Sequence, residues 1–170
     1  AVSSWVDLSW HPGGRVLVEE RAGLTEARLR GISESIGDLI LFVDDDNILG
    51  PTYLKNLSDL AEKHQMLGVL GGSIVGEYDG AVPDNFDAYS GIVAVRPLKR
   101  DSWSNDYSWS DAIACGAGIA VRREVADRYS KEVRQSLERL NLDRKGESTA
   151  SGGDIDMVYT AIDMGFGSGR

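Results

Sequence analysis

Leu39-Ile40-Leu41-Phe42-Val43-Asp44-Asp45-Asp46 is the stretch on which the reading of this chain turns. Five apolar residues without alternation suit a strand covered on both faces, as in parallel sheets packed between helices. In such sheets ligands bind beyond the carboxyl ends of the strands, so the three aspartates stand at a ligand edge. Hard oxygen donors placed there suit Mg2+ or Mn2+ shared with a substrate's phosphates. Mg2+ takes one or two protein carboxylates and leaves its other positions to water and phosphate.

The pattern on either side of this strand alternates between strand and helix. Arg15 to Glu20 reads as a short strand after the Pro12-Gly13-Gly14 turn. Leu24, Ala27, Gly31, Ile32, Ser35 and Ile36 share one face of a helix that Gly37-Asp38 closes. Pro51 starts the next helix, with Leu54, Leu57 and Ala61 on one face and an end near Gln65; Leu67 to Val75 is then a strand. Glu77 to Asp111 loses periodicity and holds Phe86, Tyr89, Trp103, Tyr107 and Trp109, a place for a substrate lid. Ile113 to Val121 regains strand character, interrupted by Gly116 and Gly118. Helical segments follow over Glu124 to Leu140, and a last helix begins at Asp154 with Ile155, Val158, Tyr159 and Ile162 on its apolar face. This alternation predicts an α/β fold, a mixed, mostly parallel sheet flanked by helices.

Composition narrows the function classes. A chain of 170 residues that is 42% hydrophobic and 26% charged has the makings of one domain with its own core. Its net charge of -9, with no local cluster of Lys and Arg, argues against nucleic acid as a partner. Cys115 is the only cysteine, which excludes an intrachain disulfide and a cysteine zinc site and fits a reducing compartment. No segment approaches the roughly 20 apolar residues of a membrane span, and the start has no signal-peptide layout. The expected location is therefore the cytoplasm. The chain opens at Ala1 and stops at Arg170 after a run of glycines, so a piece of a longer protein is expected.

Taken in order, the motifs resemble family 2 glycosyltransferases of the GT-A fold. The resemblance rests on Gly23-Leu24-Thr25-Glu26-Ala27-Arg28 with Gly31, and on Gly37-Asp38 leading through the Leu39 strand to Asp44-Asp45-Asp46. Further along it rests on Pro51 with Tyr53-Leu54, on Gly116-Ala117-Gly118 with Arg122-Arg123, and on Gly153-Asp154-Ile155-Asp156-Met157 with Gly165-Phe166. Each piece alone is weak, whereas their order over Leu17 to Phe166 is specific. What the resemblance implies is a single GT-A-like catalytic domain over residues 1–170, incomplete at both ends. Family members open with two strands and a helix that wall the nucleotide base; the segment Ala1 to His11 does not match these, and elements after Phe166 are missing. The chain alone is accordingly expected to bind nucleotide poorly.

The same resemblance assigns roles. Asp44 and Asp46 match the ends of the D-x-D motif, which in similar enzymes holds Mg2+ or Mn2+ against the donor's diphosphate, with Asp45 between them beside the donor nucleotide. Arg28 matches the arginine of an A-R-N segment beside that nucleotide, a fitting use of a guanidinium, although Leu29 replaces the usual Asn. Asp154 matches the aspartate of an E-D segment, read by similarity as the general base of an inverting transfer; the preceding Glu is Gly153 here. Gly116, Ala117 and Gly118 line the donor sugar, and Trp109 is a stacking surface for donor sugar or acceptor. The implied partners are a UDP- or GDP-sugar and a glycan or lipid-linked acceptor, as in polysaccharide biosynthesis. The full-length protein would work at the cytoplasmic face of a membrane, peripherally associated.

Plainer readings exist for each residue. The aspartates suit any helix start, Arg28 could be an exposed helix residue paired with Glu26 or Glu34, and Asp154 could merely cap its helix. Two other functions compete. A non-catalytic GT-A-like binding or scaffold domain is compatible with the expected truncated start and with Gly153. A haloacid-dehalogenase-like phosphatase, with Asp44 as nucleophile, fits less well because Ile48 stands where Thr or Val is required. His11 and His64 show no metal-ligand spacing.

Overall fold

The computed structural model describes residues 7–9, 11–146 and 150–170. Most of Ala1 to His11 lies outside the described residues, and with it any structural test of how that segment relates to the family's opening strands. The described elements run α1 (Leu24–Glu34), β1 (Leu39–Phe42), α2 (Tyr53–Lys63), β2 (Leu67–Leu70), β3 (Trp103–Ser104), β4 (Ile119–Arg122), α3 (Arg123–Val133), α4 (Leu137–Leu140), α5 (Gly153–Asp163) and β5 (Gly167–Gly169), with 3-10 turns at Phe86–Ala88 and Ser90–Val93.

The strands form one sheet in the order β1-β4-β2-β5-β3. The expectation of a mostly parallel sheet is corrected. β4 pairs antiparallel with both β1 and β2, β3 pairs antiparallel with β5, and only β2 and β5 run parallel. The apolar run of β1 did report burial on both faces. Ile40 and Phe42 face the cluster built from α1, α3 and α5, while Leu39 and Leu41 pack against α2. Two-sided burial comes from helices above and below, and it carries no information about the direction of the neighbouring strand. β1 and β2 do run in one direction, joined through α2, but β4 lies between them.

Three further segments differ from the pattern. Arg15 to Glu20 forms no strand and runs largely exposed. The strand expected over Ile113 to Val121 begins only at Ile119, because Gly118 takes a φ of 91° that breaks the extended run, although Ile113 and Ala114 are buried. β2 stops at Leu70 rather than at Val75, and Ile74 forms a lone bridge to Arg96.

Helix α1 turns a different face inward than its apolar residues predict. Thr25, Arg28, Leu29 and Ile32 are buried, at the i, i+3, i+4, i+7 spacing of one stripe, and Ile36 lies past the helix end at 98% exposure. A polar Thr and an Arg can occupy that stripe because each has a buried partner, described below. In α2, Leu57 and Ala61 are buried as expected, while Leu54 faces solvent.

Two arginines at the β4–α3 junction lock the helices to the sheet. Arg122 donates to the carbonyls of Ala61, His64 and Leu67 around the end of α2. Arg123 donates to Ile32 O and Gly37 O and to Ser35 Oγ at the end of α1. Both place a cation where unpaired helix carbonyls accumulate partial negative charge. No helix among the described residues is long and apolar enough to cross a membrane.

Candidate functional site

The site is assembled around Gly116. β1 ends at Phe42, opposite Ile119, so the aspartate turn and the Gly116-Ala117-Gly118 bend emerge side by side at one edge of the sheet. A Cβ on Gly116 would lie 3.1 Å from Arg28 Nη2, 3.4 Å from Asp44 Oδ2 and 3.8 Å from Asp154 Oδ2. Residues from α1, the end of β1 and the first turn of α5 thus converge on one glycine. The lack of a side chain there keeps the space between them open.

The three groups differ in how they are held. Asp154 Oδ2 accepts the Gly116 N–H at 2.9 Å, and Oδ1 accepts the Ile155 N–H at 3.0 Å. Asp154 is inside α5 rather than its cap, which is Gly152, so the capping reading is replaced by a cross-link to the glycine bend. Asp44 is half-buried; loss of solvent pushes its carboxyl above the ordinary aspartate range, Arg28 pulls it back down, and the negative charges of Asp46 and Asp154 raise it further. Asp45 and Asp46 stand exposed on the turn, where Asn47 Nδ2 donates to Asp46 Oδ1.

Arg28 is neither exposed nor paired with Glu26 or Glu34. It is 6% exposed, and its Nη1 donates to Asp143 Oδ2 at 2.8 Å. Glu26 pairs instead with Arg21, and Glu34 with Arg15 and Arg30. Asp143, 3% exposed, also accepts from Thr25 Oγ1 at 3.1 Å and from the Gly153 N–H at 2.9 Å. Nearly every lone pair that a buried carboxylate needs satisfied therefore has a donor.

This arrangement explains Gly153. A Cβ there would fall 2.0 Å from Asp143 Oδ2 and 2.6 Å from its Cγ. The carboxylate at this point of the site comes from Asp143, on the loop before α5, and excludes any side chain at 153. Asp143 carries no sequence motif and was missed. The signal that could have found it is indirect: an arginine on a buried helix stripe requires a carboxylate partner.

Other predicted residues lie elsewhere or act structurally. Trp109 is 66% exposed and sits over Arg96, whose guanidinium carbon is 4.9 Å from its ring centroid. Tyr107 pins its loop to α5, packing edge-on against Tyr159 at 5.3 Å and donating to Asp163 Oδ1. Asp156 is tied to Arg139 Nε at 2.9 Å. Tyr53, on the other hand, belongs to the site's wall: its hydroxyl donates to Gly118 O at 2.5 Å.

Among the described residues no three His, Cys, Asp or Glu side chains meet in a set that could enclose a metal ion. The turn Asp44 to Asp46 nonetheless offers three carboxylates on an open edge, one of them, Asp44, destabilised as an anion by burial and by neighbouring negative charge. That donor set fits a hard divalent cation that completes its coordination with water and phosphate.

Comparison with curated proteins and with solved structures returned no match. The family model described as Glycosyl transferase family 2 matches residues 2–130, a span that takes in Arg28, the aspartate turn, the glycine bend and most of Ala1 to His11. The matched span stops before Asp143 and Asp154, which join the site through their contacts with Arg28, Gly153 and Gly116. A glycine bend flanked by an aspartate turn on one side and a buried arginine on the other, within a match that spans more than half of the sequence, shows that the chain belongs to glycosyl transferase family 2.

Proposed function

We propose that this domain transfers a sugar, with inversion, from a UDP- or GDP-sugar to a hydroxyl of a glycan or lipid-linked acceptor, assisted by Mg2+ or Mn2+ at Asp44 and Asp46. The observation that carries the reading is the convergence of Arg28, Asp44 and Asp154 on Gly116. Transfer requires a base for the acceptor hydroxyl, stabilisation of negative charge on the departing diphosphate, and space for the sugar between them.

Asp154 supplies the base. Each of its oxygens takes one backbone N–H, and a carboxylate oxygen has a second lone pair free to receive the hydroxyl proton. As the acceptor oxygen bonds to the anomeric carbon, the bond from that carbon to the diphosphate oxygen breaks and the nucleoside diphosphate leaves with the electron pair. Arg28, fixed through Nη1 by Asp143, keeps Nη2 on the Gly116 side as a donor to phosphate. A divalent cation shared between the aspartate turn and the diphosphate would add to this charge neutralisation. The scaffold alternative rests on the expected truncated start and on Gly153; the Asp143 carboxylate, which accepts the Gly153 N–H, is an observation that favours the catalytic reading over it.

The test is calorimetric titration of UDP and GDP, with and without Mn2+, into the full-length protein, its Asp44→Ala/Asp46→Ala double variant and Asp154→Asn. Metal-dependent binding is expected in the wild type and lost in the double variant. Asp154→Asn is expected to keep that binding while transfer falls by about 10²–10⁴-fold, the range for a general base. Binding of neither nucleotide to the folded protein would overturn the donor assignment, and unimpaired transfer by Asp154→Asn would overturn the base.

A further inference from the structure

A cavity opens on the side of Tyr53 away from Gly118, next to the end of β2. It holds about 500 Å³, between α2, the end of β2 and the Leu98-to-Asp101 segment. Tyr53 is the partition. Its ring is 2.7 Å from where a Cβ on Gly72 would be, and its hydroxyl 3.0 Å from where one on Gly118 would be. A line of contacts therefore runs from the cavity through Tyr53 and Gly118 to Gly116 and Asp154.

The charge of this cavity is opposite to that of the chain. The protein carries 27 acidic and 18 basic residues, yet the charged lining is Lys99, Arg100 and Arg170 against Asp101 alone. Lys99 and Arg100 are exposed and form no ion pair among the described residues. Arg170 is 5% exposed and is held entirely by carbonyls, of Gly72, Arg96 and Asp111, rather than by a carboxylate. Arg96 beside it is likewise held by Ile113 O and Ser110 O. Burial and the Arg96 charge pull the Arg170 guanidinium below its ordinary range, the sign of a positive charge short of compensation.

The basic segment is also fixed in place. Leu98 N donates to Ser73 Oγ at 3.0 Å, and Ser102 exchanges backbone hydrogen bonds of 2.8 and 2.9 Å with Arg170. Lys99 and Arg100 are thus presented between two anchors, which reduces the ordering cost of engaging a ligand.

We propose that this cavity binds the acceptor through an anionic group, a uronate carboxylate or a sugar phosphate, gripped by Lys99 and Arg100 in the field of Arg170. The acceptor role rests on the transfer reading above, whereas the anion site stands on the cavity alone. With the charged group held there, the remainder of the saccharide extends over Tyr53 toward Asp154.

Glucuronic acid, glucose 6-phosphate and glucose serve as probes, titrated into the isotopically labelled full-length protein while the amide signals of Ser73 and Leu98 to Asp101 are followed by NMR. One or both charged sugars are expected to shift these signals and glucose not to; which one does so identifies carboxylate or phosphate. Lys99→Ala/Arg100→Ala is expected to weaken that binding about tenfold or more, and Asp44→Ala/Asp46→Ala to leave it intact. The second variant separates the two readings, since loss of donor binding there does not touch the anion site. Equal response to glucose, no response to either charged sugar, or unchanged affinity in the Lys99/Arg100 variant would each overturn the proposal. If glucuronate binding instead disappears with Asp44 and Asp46, the signals report the donor site and the cavity has no acceptor role.

Discussion

Arg28 faces two aspartates, and they are treated in opposite ways. Asp143 is buried, accepts from Arg28, Thr25 and Gly153, and has no room to do anything else. Asp44, on the Nη2 side of the same guanidinium, is half-buried, and its carboxyl is raised because lost solvent outweighs the attraction of Arg28. A carboxylate saturated with donors fixes geometry. A carboxylate left short of donors at an open edge is ready for a ligand that brings positive charge. One arginine thus links a structural pair to the turn proposed to bind the metal.

The sharpest way to break this contrast is Asp143→Ala. It leaves Arg28 buried and unpaired, and the expected loss of stability is about 3–5 kcal/mol by urea denaturation. Retention of wild-type stability would show that Arg28 moves freely to another partner. Gly153→Ala probes the same contact from the backbone side, because a Cβ at 2.0 Å from Asp143 Oδ2 forces the carboxylate away. An overpacking cost of about 1–3 kcal/mol is expected, together with weaker metal-dependent nucleotide binding as Arg28 loses its anchor.

Asp44→Asn should act in the other direction on stability. With its pKa raised, the folded state holds the Asp44 proton more tightly than the unfolded chain does. The stabilising contribution is therefore present in acid and lost as the pH rises through the raised pKa. At neutral pH the ionised carboxylate is a burden, so the variant is expected to have a higher Tm than wild type while losing metal-dependent nucleotide binding. The gain in Tm should shrink as the pH falls toward the ordinary value of 3.8. A lower Tm at neutral pH would mean that Arg28 dominates the environment of Asp44.

Tyr107→Phe gives the smallest effect. It removes an exposed bond to Asp163 but leaves the ring against Tyr159, and a loss of about 0.5 kcal/mol in thermal denaturation is expected. Its use is as a baseline for the loop that also carries Trp109, which stacks on Arg96 rather than reaching the carboxylates.

The parts of the site that could be read from the chain are those in which one short segment carries both burial and chemistry. The run Leu39 to Val43 announces a strand, and the aspartates attached to it must appear at its end. Gly116 and Gly118 mark a bend because only glycine accepts a φ of 91° at 118 without strain and an empty Cβ site at 116. The motif places Arg28 beside the donor nucleotide, but nothing local names the partner that holds it. Local spacing offered Glu26 and Glu34, whereas the real partner is 115 residues away. Apolar spacing likewise misjudged the inner face of α1, since a paired Arg and a bonded Thr can fill a buried stripe as well as Leu can.

By itself the sequence determined the alternation of helix and strand from α1 to β2, that β1 is apolar on both faces, and which residue types stand at its end. These follow from forces acting within a few residues: backbone sterics, helical and extended periodicity, and the exclusion of apolar side chains from water. Only the tertiary structure decided that β4 enters antiparallel between β1 and β2, that Asp143 rather than a residue at 153 supplies the carboxylate beside Arg28, and that Lys99, Arg100 and Arg170 share one cavity. Strand order and charge pairing are set by contacts between segments far apart in the chain, and burial alone does not name the partner.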